Sequence, residues 1–294
     1  MADKIRIILD TDIGNDIDDA VALAYLLRQP RCELVGITTV TGDVAKRCAL
    51  AEYVCRAAGR ADIPVHAGAG PVLLHGPGQP LVHQYEAIRN KPHRAEWPAG
   101  TAVEFMRAEI RKRPGEIVLL TIGPLTNAAL LFATDPEIPK MLKGMVAMAG
   151  VFFPYECDRE WNCLVDPVAT AITYQRAPQG MLSIGLDVTT KCQLDSVQVR
   201  ERFKGAPLNA VMDLAEIWFG GKKEKPRMTF HDPLAAAVIF NPGLCGYATG
   251  TVTVDPGPGP AEGKTVFREG QGPHRVARTV DPDAFFAEYF SVFK

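Results

Sequence analysis

Short apolar runs alternate with segments of helical periodicity along the first two thirds of the chain. The apolar runs are rich in Ile and Val and are short, as strands buried on both faces of a sheet are. The predicted strands are IRIIL, ELVGITTV, IPVHAG, EIVLLTIG, MVAMAG and MLSIGLD, and the predicted helices cover 18–28, 45–58, 125–133 and 167–175. This alternation predicts an α/β fold with a doubly wound, mostly parallel sheet of the Rossmann-like kind.

The pattern changes after Asp232. Three extended segments, YATGTVTV, KTVFRE and HRVARTV, precede a terminal helix, and the turn-rich stretch DPGPGPAEG separates two of them. Extended segments joined by turn-forming residues are typical of antiparallel strands. We therefore expect a small antiparallel C-terminal extension of the same sheet, with residues 1–294 forming one domain, since single α/β domains routinely reach this length.

Residues 70–100 form a proline- and glycine-rich stretch that is too long for an ordinary connection between two elements. Such a stretch is either a functional flap over a site or a disordered insert. We favour the flap.

Composition and charge narrow the range of partners. Lys and Arg number 32 and Asp and Glu number 34, and the net charge of −2 gives no sign of a nucleic-acid or anionic membrane surface. No uninterrupted apolar run is long enough to span a bilayer. The seven cysteines are scattered without a CxxC pair, which argues against a disulfide framework or a thiolate zinc site. We expect a cytoplasmic protein that binds a small molecule.

The stretch ILDTDIGNDIDDA crowds aspartates at the end of the first predicted strand and the start of the first helix. They are Asp10, Asp12, Asp16, Asp18 and Asp19. In parallel sheets, ligands bind beyond the carboxyl ends of the strands. A helix N-terminus favours one or two acids, but five carboxylates repel one another unless a cation neutralises them. All-oxygen ligation suits Ca²⁺ or Mg²⁺, and we favour Ca²⁺ because it tolerates irregular geometry.

Two other motifs share part of this pattern. An EF-hand loop has similar aspartate spacing, but here the glycine falls one position early, no glutamate closes the loop at Val21, and a strand precedes it. A phosphatase of the haloacid dehalogenase type has a strand followed by DxD, in which Asp10 would be the nucleophile. That reading leaves Asp18 and Asp19 without roles.

The motif DTDIGNDIDDA resembles the N-terminal signature of the inosine-uridine preferring nucleoside hydrolases, usually written DTDPGxDDA. Four further stretches match this family in order: TVTGD at 39–43, IGPLTN at 122–127, EWNCLVDP at 160–167 and FHDPLA at 230–235. One DxD motif is a weak signal, whereas five stretches in order over nearly the whole chain are specific. The resemblance implies a nucleoside N-ribohydrolase that forms a homodimer or homotetramer.

The resemblance also implies a calcium ion and its ligands. Asp12, Asp19 and Asp232 would bind the ion through their carboxylates and Ile122 through its main-chain carbonyl, and the ribose hydroxyls would complete the shell. Asp10 would lie behind these ligands and orient Asp12, because metal ligands usually need such support.

By the same resemblance, five further residues would bind the sugar. Asp18 and Asp43 would contact its 2′- and 3′-hydroxyl side, Glu160 and Asn162 would take its other hydroxyls, and Met148 would pack on the ribose.

The implied chemistry is hydrolysis of an N-glycosidic bond, in which positive charge develops at the anomeric carbon and water attacks opposite the departing base. A cation-bound water has a lowered pKa, so we expect Asp12 to act as its general base. We expect inversion, because no second carboxylate is assigned as a nucleophile. His231, next to Asp232, is placed to supply a proton or hydrogen bond to the leaving base, although a histidine there is equally compatible with a structural role.

Two departures from the family pattern bear on function. The signature is longer by two residues, which leaves Asp16 without an assigned role. The segment VFFPYECDRE at 151–160 is shorter than in relatives, which commonly carry an asparagine for the ribose 5′-hydroxyl there. The second departure leaves open a homologue that binds or cleaves another ribosyl-like glycoside, or that binds without cleaving.

Overall fold

Eleven strands form two sheets in the part of the chain that the computed structural model describes, residues 4–220 and 225–294. The strands are β1 (Ile5–Thr11), β2 (Cys32–Thr39), β3 (Val65–Ala67), β4 (Ile117–Thr121), β5 (Gly144–Met148), β6 (Met181–Ile184), β7 (Gln193–Asp195), β8 (Arg227–Thr229), β9 (Cys245–Val254), β10 (Thr265–Glu269) and β11 (His274–Val280).

The helices of the same part of the chain flank the larger sheet. They are α1 (Asp18–Arg28), α2 (Val44–Ala57), α3 (Thr101–Lys112), α4 (Thr126–Thr134), α5 (Ile138–Met141), α6 (Trp161–Val165), α7 (Pro167–Arg176), α8 (Leu186–Thr189), α9 (Ser196–Arg202), α10 (Leu208–Gly220), α11 (His231–Ala237) and α12 (Pro282–Ser291). Two short 3₁₀ turns cover His83–Ala87 and Pro242–Leu244. None of these helices is both long enough and apolar enough to cross a membrane.

The larger sheet has nine strands in the order β10-β9-β11-β6-β5-β4-β1-β2-β3. The seven strands from β11 to β3 pair in parallel, whereas β9 pairs antiparallel with both β10 and β11. The predicted doubly wound sheet and its antiparallel C-terminal extension are therefore confirmed. That residues 1–294 form one domain stays a prediction.

The strand order reverses between β1 and β4. The chain runs from β1 outward through β2 to β3, and then returns to add β4 on the opposite side of β1. The loops that follow β1 and β4 diverge at this point and leave a crevice beyond the carboxyl ends of the two strands, where open α/β sheets bind ligands. The aspartates that follow β1 are therefore placed at the usual binding position of the fold.

Alternate residues of the central strands pack into separate cores on the two faces of the sheet. Ile7 and Leu9 of β1 belong to the core beneath α1, α11 and α12, whereas Ile8 belongs to the core beneath α3, α4 and α7. Burial on both faces explains why these strands are apolar at consecutive positions. It also holds β1 rigid up to the residues that precede Asp12.

Candidate active site

A cavity of about 450 Å³ lies at the crevice between β1 and β4. Nine residues predicted from the sequence to serve the site line it: Asp12, Asp18, Asp19, Ile122, Met148, Glu160, Asn162, His231 and Asp232. Seven more residues complete the lining: Asn15, Asp16, Gln79, Arg159, Trp161, Leu164 and Leu186. Asp10 and Asp43, which were also predicted for the site, are not part of this lining.

Three buried carboxylates converge in the cavity. Carboxylate oxygens of Asp18, Asp19 and Asp232 all lie within 4.8 Å of one another. The first two begin α1 and the third lies in the first turn of α11, and these helices pack against each other. The main-chain N–H of Asp232 donates to Asp18 Oδ2 at 3.2 Å, and the Thr11 hydroxyl donates to Asp19 Oδ1 at 2.5 Å. Backbone and side-chain hydrogen bonds thus hold the cluster together across more than 200 residues of sequence.

The three carboxylates fit a divalent cation. Burial raises the pKa of Asp18, Asp19 and Asp232 well above the ordinary aspartate value, and the negative charges of neighbouring aspartates raise it further. A cation bound among them would remove this repulsion and keep all three ionised. The donor set holds only oxygen, which is the ligand that Ca²⁺ and Mg²⁺ take.

Asp12 lies at the wall of the same cavity, just beyond the end of β1, and is not among the three oxygens that cluster most closely. Burial raises the pKa of its carboxyl, and the Arg47 guanidinium opposes that shift. Gly123 packs directly against it, since a Cβ there would lie 2.9 Å from both the main-chain N and Oδ1 of Asp12. The main-chain carbonyl of Ile122 accepts a hydrogen bond from Asn162 Nδ2 at 2.9 Å.

Asp10 is completely buried beneath the cavity. Its Oδ1 accepts hydrogen bonds from the Thr38 hydroxyl at 2.5 Å and from Asn127 Nδ2 at 2.8 Å. Its Oδ2 is buried without a hydrogen-bond partner among the residues that the structure describes, and burial raises the pKa of Asp10 to about 7. A nucleophile has to reach its substrate, so this position argues against the phosphatase reading.

Arg47 is a functional candidate that sequence reasoning missed. It is fully buried on α2. Its guanidinium donates to the main-chain carbonyls of Thr41, Asp12, Ile13, Gln79 and Leu81. These oxygens belong to the loop after β1, the loop after β2 and the segment 70–100, so one cation joins three loops at the base of the cavity. A lone arginine on a helix carries no sequence signal for this role, because only the fold brings the loops together.

Residues of the segment 70–100 complete one side of the site. Gln79 lines the cavity. Gln84 is fully buried, and its amide nitrogen donates to the main-chain carbonyl of Asp16 at 2.6 Å. Asp16 lines the cavity but is exposed, and its Oδ1 accepts from the main-chain N–H of Ile17 at 2.7 Å.

Glu160 and Asn162 form the opposite wall, after β5. The Glu160 carboxylate caps α6 and accepts main-chain N–H groups of Asn162 at 2.6 Å, Cys163 at 3.0 Å and Gly150 at 3.3 Å. Asn162 Nδ2 also donates to the main-chain carbonyl of Met148 at 3.1 Å. These bonds hold the wall side chains in one orientation.

His231 begins α11 beside the carboxylate cluster. Its Nδ1 lies 2.6 Å from the Thr189 hydroxyl, which orients the imidazole ring. Burial lowers the pKa of His231 to about 4, and the charge of Asp16 opposes that shift.

Asp43 has a different environment from the other predicted sugar ligands. It is the N-cap of α2, where its Oδ1 accepts from the main-chain N–H of Lys46 at 3.1 Å, and its Oδ2 pairs with Lys46 Nζ at 2.9 Å. The carboxylate is therefore already engaged at the helix end.

Comparisons with known proteins find relatives along most of the chain. Residues 7–287 match the family described as "Inosine-uridine preferring nucleoside hydrolase". The chain is 28% identical over 265 residues to uridine nucleosidase 1 of Arabidopsis thaliana, covering 85% of this chain and 78% of that protein. It is 30% identical over 253 residues to the pyrimidine-specific ribonucleoside hydrolase RihA of Salmonella paratyphi B, covering 81% and 80%.

Nucleoside hydrolases are also found among the solved structures that resemble this chain. The purine-preferring ribonucleoside hydrolase from Gardnerella vaginalis superposes with a TM-score of 0.82 at 25% identity, covering 98% of this chain and 97% of that one. A plant nucleoside hydrolase, PpNRh1, has a TM-score of 0.83 at 23% identity over 98% of both chains, which is a likeness of fold. The named relatives thus include both pyrimidine and purine enzymes.

Proposed function

Since the chain belongs to the inosine-uridine preferring nucleoside hydrolase family and is a hydrolase of N-glycosyl compounds, we propose that it cleaves ribonucleosides to free base and ribose in a calcium-dependent reaction with Asp12 as general base. The observation that carries this proposal is the buried cluster of Asp18, Asp19 and Asp232 in one cavity with Asp12. A cavity with so many carboxylates suits a reaction that develops positive charge on the sugar.

We propose that Asp12, Asp19, Asp232 and the Ile122 carbonyl hold the calcium ion. The clustered oxygens and the raised pKa of the buried aspartates support a divalent cation, and the all-oxygen donor set supports calcium over zinc. When bound, the ion would neutralise the carboxylates and lower the pKa of a coordinated water. Asn162 Nδ2 donates to the Ile122 carbonyl, so this side chain has to share that oxygen or turn toward the sugar when the ion binds.

We assign each step of the reaction to a residue of the cavity. Asp12, which lines the cavity, takes the proton of the attacking water as general base. Asp18 binds the 2′- and 3′-hydroxyl side of the ribose. His231, held by Thr189, donates a hydrogen bond to the departing base. Attack opposite the base inverts the anomeric carbon, because no second carboxylate acts as nucleophile.

Contacts to the rest of the sugar come from the wall after β5. Glu160, Asn162 and Met148 all line the cavity, and we propose that they contact the ribose. The engagement of Asp43 with Lys46 gives no support to a sugar contact by Asp43, so that residue is left out of the proposal.

Release of free ribose from a panel of uridine, cytidine, inosine and adenosine tests the proposed function. We expect release from at least one of them by the calcium-loaded wild-type protein and loss of that release in Asp12→Asn. The panel also ranks the bases, which matters because the named relatives divide between pyrimidine and purine nucleosides. No release from any of the four, by protein with calcium bound, contradicts the proposal.

A further inference from the structure

Arg159 carries a positive charge into an acidic cavity. It is the one Lys or Arg side chain among the lining residues that the structure describes, in a cavity with six carboxylates. Its side chain is 39% exposed, and it stands directly before Glu160 in the segment between β5 and α6. A positively charged side chain that stands alone in an acidic cavity is expected to bind a specific group.

The protein itself supplies only a distant partner. Arg159 Nε lies 3.6 Å from Asp158 Oδ1, which is longer than a hydrogen bond. Asp158 in turn pairs with Lys264 Nζ at 3.0 Å. Asp158 is the one side chain that the structure pairs with the Arg159 guanidinium, within the described ranges 4–220 and 225–294. The five N–H groups of the guanidinium are therefore largely available to a ligand.

The neighbouring wall residues differ from Arg159 in the hydrogen bonds that they can offer a ligand. Glu160 is a carboxylate and can only accept, and it already accepts three main-chain N–H groups. The Asn162 amide nitrogen donates to the carbonyls of Ile122 and Met148, and it reaches the sugar only by turning away from them. A hydroxyl that enters this end of the cavity can donate to Glu160, but its own lone pairs need a donor. Arg159, the one Lys or Arg in the described lining of the cavity, carries a charged donor directly beside Glu160.

A ribonucleoside has three hydroxyl groups. Under the proposed function, the 2′- and 3′-hydroxyls lie at Asp18 and the cation, which leaves the 5′-hydroxyl for the wall after β5. We propose that Arg159 donates a hydrogen bond to the 5′-hydroxyl oxygen and thereby makes the enzyme specific for nucleosides with a free 5′-hydroxyl; this inference rests on the proposed function.

The same charges exclude a 5′-phosphate. Six carboxylates surround one Arg159, so the cavity stays negative even with a divalent cation bound. A dianionic phosphate would meet this field at close range, whereas a neutral hydroxyl does not. Arg159 therefore recognises a 5′-hydroxyl and not a 5′-phosphate.

The test compares the best ribonucleoside of the panel with its 5′-deoxy analogue and its 5′-monophosphate. Values of kcat/KM are measured for wild type, Arg159→Ala, Arg159→Gln and the control Lys264→Ala. Lys264 is a matched control, because it also pairs with Asp158 but does not line the cavity.

We expect Arg159→Ala to lower kcat/KM for the ribonucleoside about 10- to 100-fold, the effect of one hydrogen bond from a charged donor. The value for the 5′-deoxy analogue should change by less than about threefold, so the preference for the hydroxyl disappears. Arg159→Gln, which keeps a neutral donor, should recover part of it, and Lys264→Ala should leave both values unchanged.

Three results overturn the inference: an unchanged preference in Arg159→Ala, an equal loss for both substrates, or faster cleavage of the 5′-monophosphate than of the nucleoside by wild type. If wild type releases ribose from no nucleoside, it is the proposed function that fails. The role of Arg159 is then decided by calorimetry on the calcium-loaded protein, where equal Kd values for uridine and 5′-deoxyuridine count against it.

Discussion

Asp12 and Asp16 both line the cavity, yet their surroundings differ. Asp12 is 8% exposed, packs against Gly123 and stands over the buried Arg47. Asp16 is exposed to solvent on the loop before α1. The field of a buried carboxylate acts through a low dielectric, whereas water screens an exposed one. The two carboxylates have the same formal charge, but we therefore expect Asp12 to be more important for catalysis than Asp16.

We expect Asp12→Asn to lower kcat about 100- to 10,000-fold, which is the usual contribution of a general base. Asp16→Asn should change kcat less than about tenfold, because an exposed charge contributes only about 1 kcal/mol to a neighbour at 4 Å. Ribose release measured side by side, with circular dichroism as the check on folding, decides this. A larger loss in Asp16→Asn than in Asp12→Asn would reverse the assignment.

Single residues of the site were predictable where their type carries the chemistry. The crowding of five aspartates between the first strand and the first helix, which Asp18 and Asp19 open, already pointed to a cation, and the resemblance added Asp232, which the structure places within 4.8 Å of these two. Arg47 and Arg159 were not predictable in this way. Arginine is common on helices and loops, and its role here depends on which loops and walls it meets in three dimensions.

At the scale of elements, the strands were easier to predict than the helices. Burial on both faces gives strands such as β1 and β4 continuous apolar runs that the sequence displays directly. The helices α3, α9 and α10 were not predicted as such, although they are 12, 7 and 13 residues long. In α10 the polar residues Asn209, Asp213 and Glu216 fall on one side of the helix, so this helix did carry a periodic signal in the sequence.

The loops at the site are held by α2 through Arg47. Arg47→Met keeps the length of the side chain but removes every donor, so five main-chain carbonyls lose a partner. We expect the free energy of unfolding to fall by about 3 kcal/mol or more, since each buried polar group left unpaired costs about 1–3 kcal/mol. Urea denaturation measures the change, and kcat should fall as well, because the Asp12 main chain loses its anchor.

Arg56→Met is the matched control for this helix. Arg56 lies on α2 but its side chain is 47% exposed and pairs with Glu52. Its replacement should change the free energy of unfolding by less than about 0.5 kcal/mol, as surface ion pairs contribute little. Similar losses in the two variants would show that charge on α2, and not the junction of three loops, is what matters.

On the scale of the whole molecule, the site depends on segments far apart in sequence. The parallel pairing of β1, β4 and β5 brings their carboxyl ends to one edge of the sheet, and α11 returns Asp232 to the start of α1. Hydrophobic pattern predicts such a sheet, but not which loops meet above it. The meeting of residues 18, 19 and 232 was accessible only through the resemblance to a family.

Because of this convergence, the proposed cation would stabilise the whole fold. A ligand that binds only the folded state stabilises it, by about 2.7 kcal/mol at a hundredfold excess over Kd, which corresponds to a rise in Tm of about 5–10 °C. We therefore expect a strong chelator to lower the Tm of this protein and to abolish ribose release, and we expect Ca²⁺ to restore both.

The effect of calcium on Tm should also grow with pH. In the metal-free protein the pKa values of Asp18, Asp19 and Asp232 are raised above those of the unfolded chain. The folded state therefore binds more protons than the unfolded state once the pH exceeds the ordinary value of 3.8, and its stability falls as the pH rises. The proposed calcium ion would replace those protons, so we expect the difference in Tm between calcium-loaded and chelated protein to be larger at pH 8 than at pH 5. Thermal scans of both forms at the two pH values measure this difference in Tm. Equal Tm values of the two forms at pH 8 count against a cation among these carboxylates. Full recovery of Tm and ribose release with Mg²⁺ alone counts against calcium.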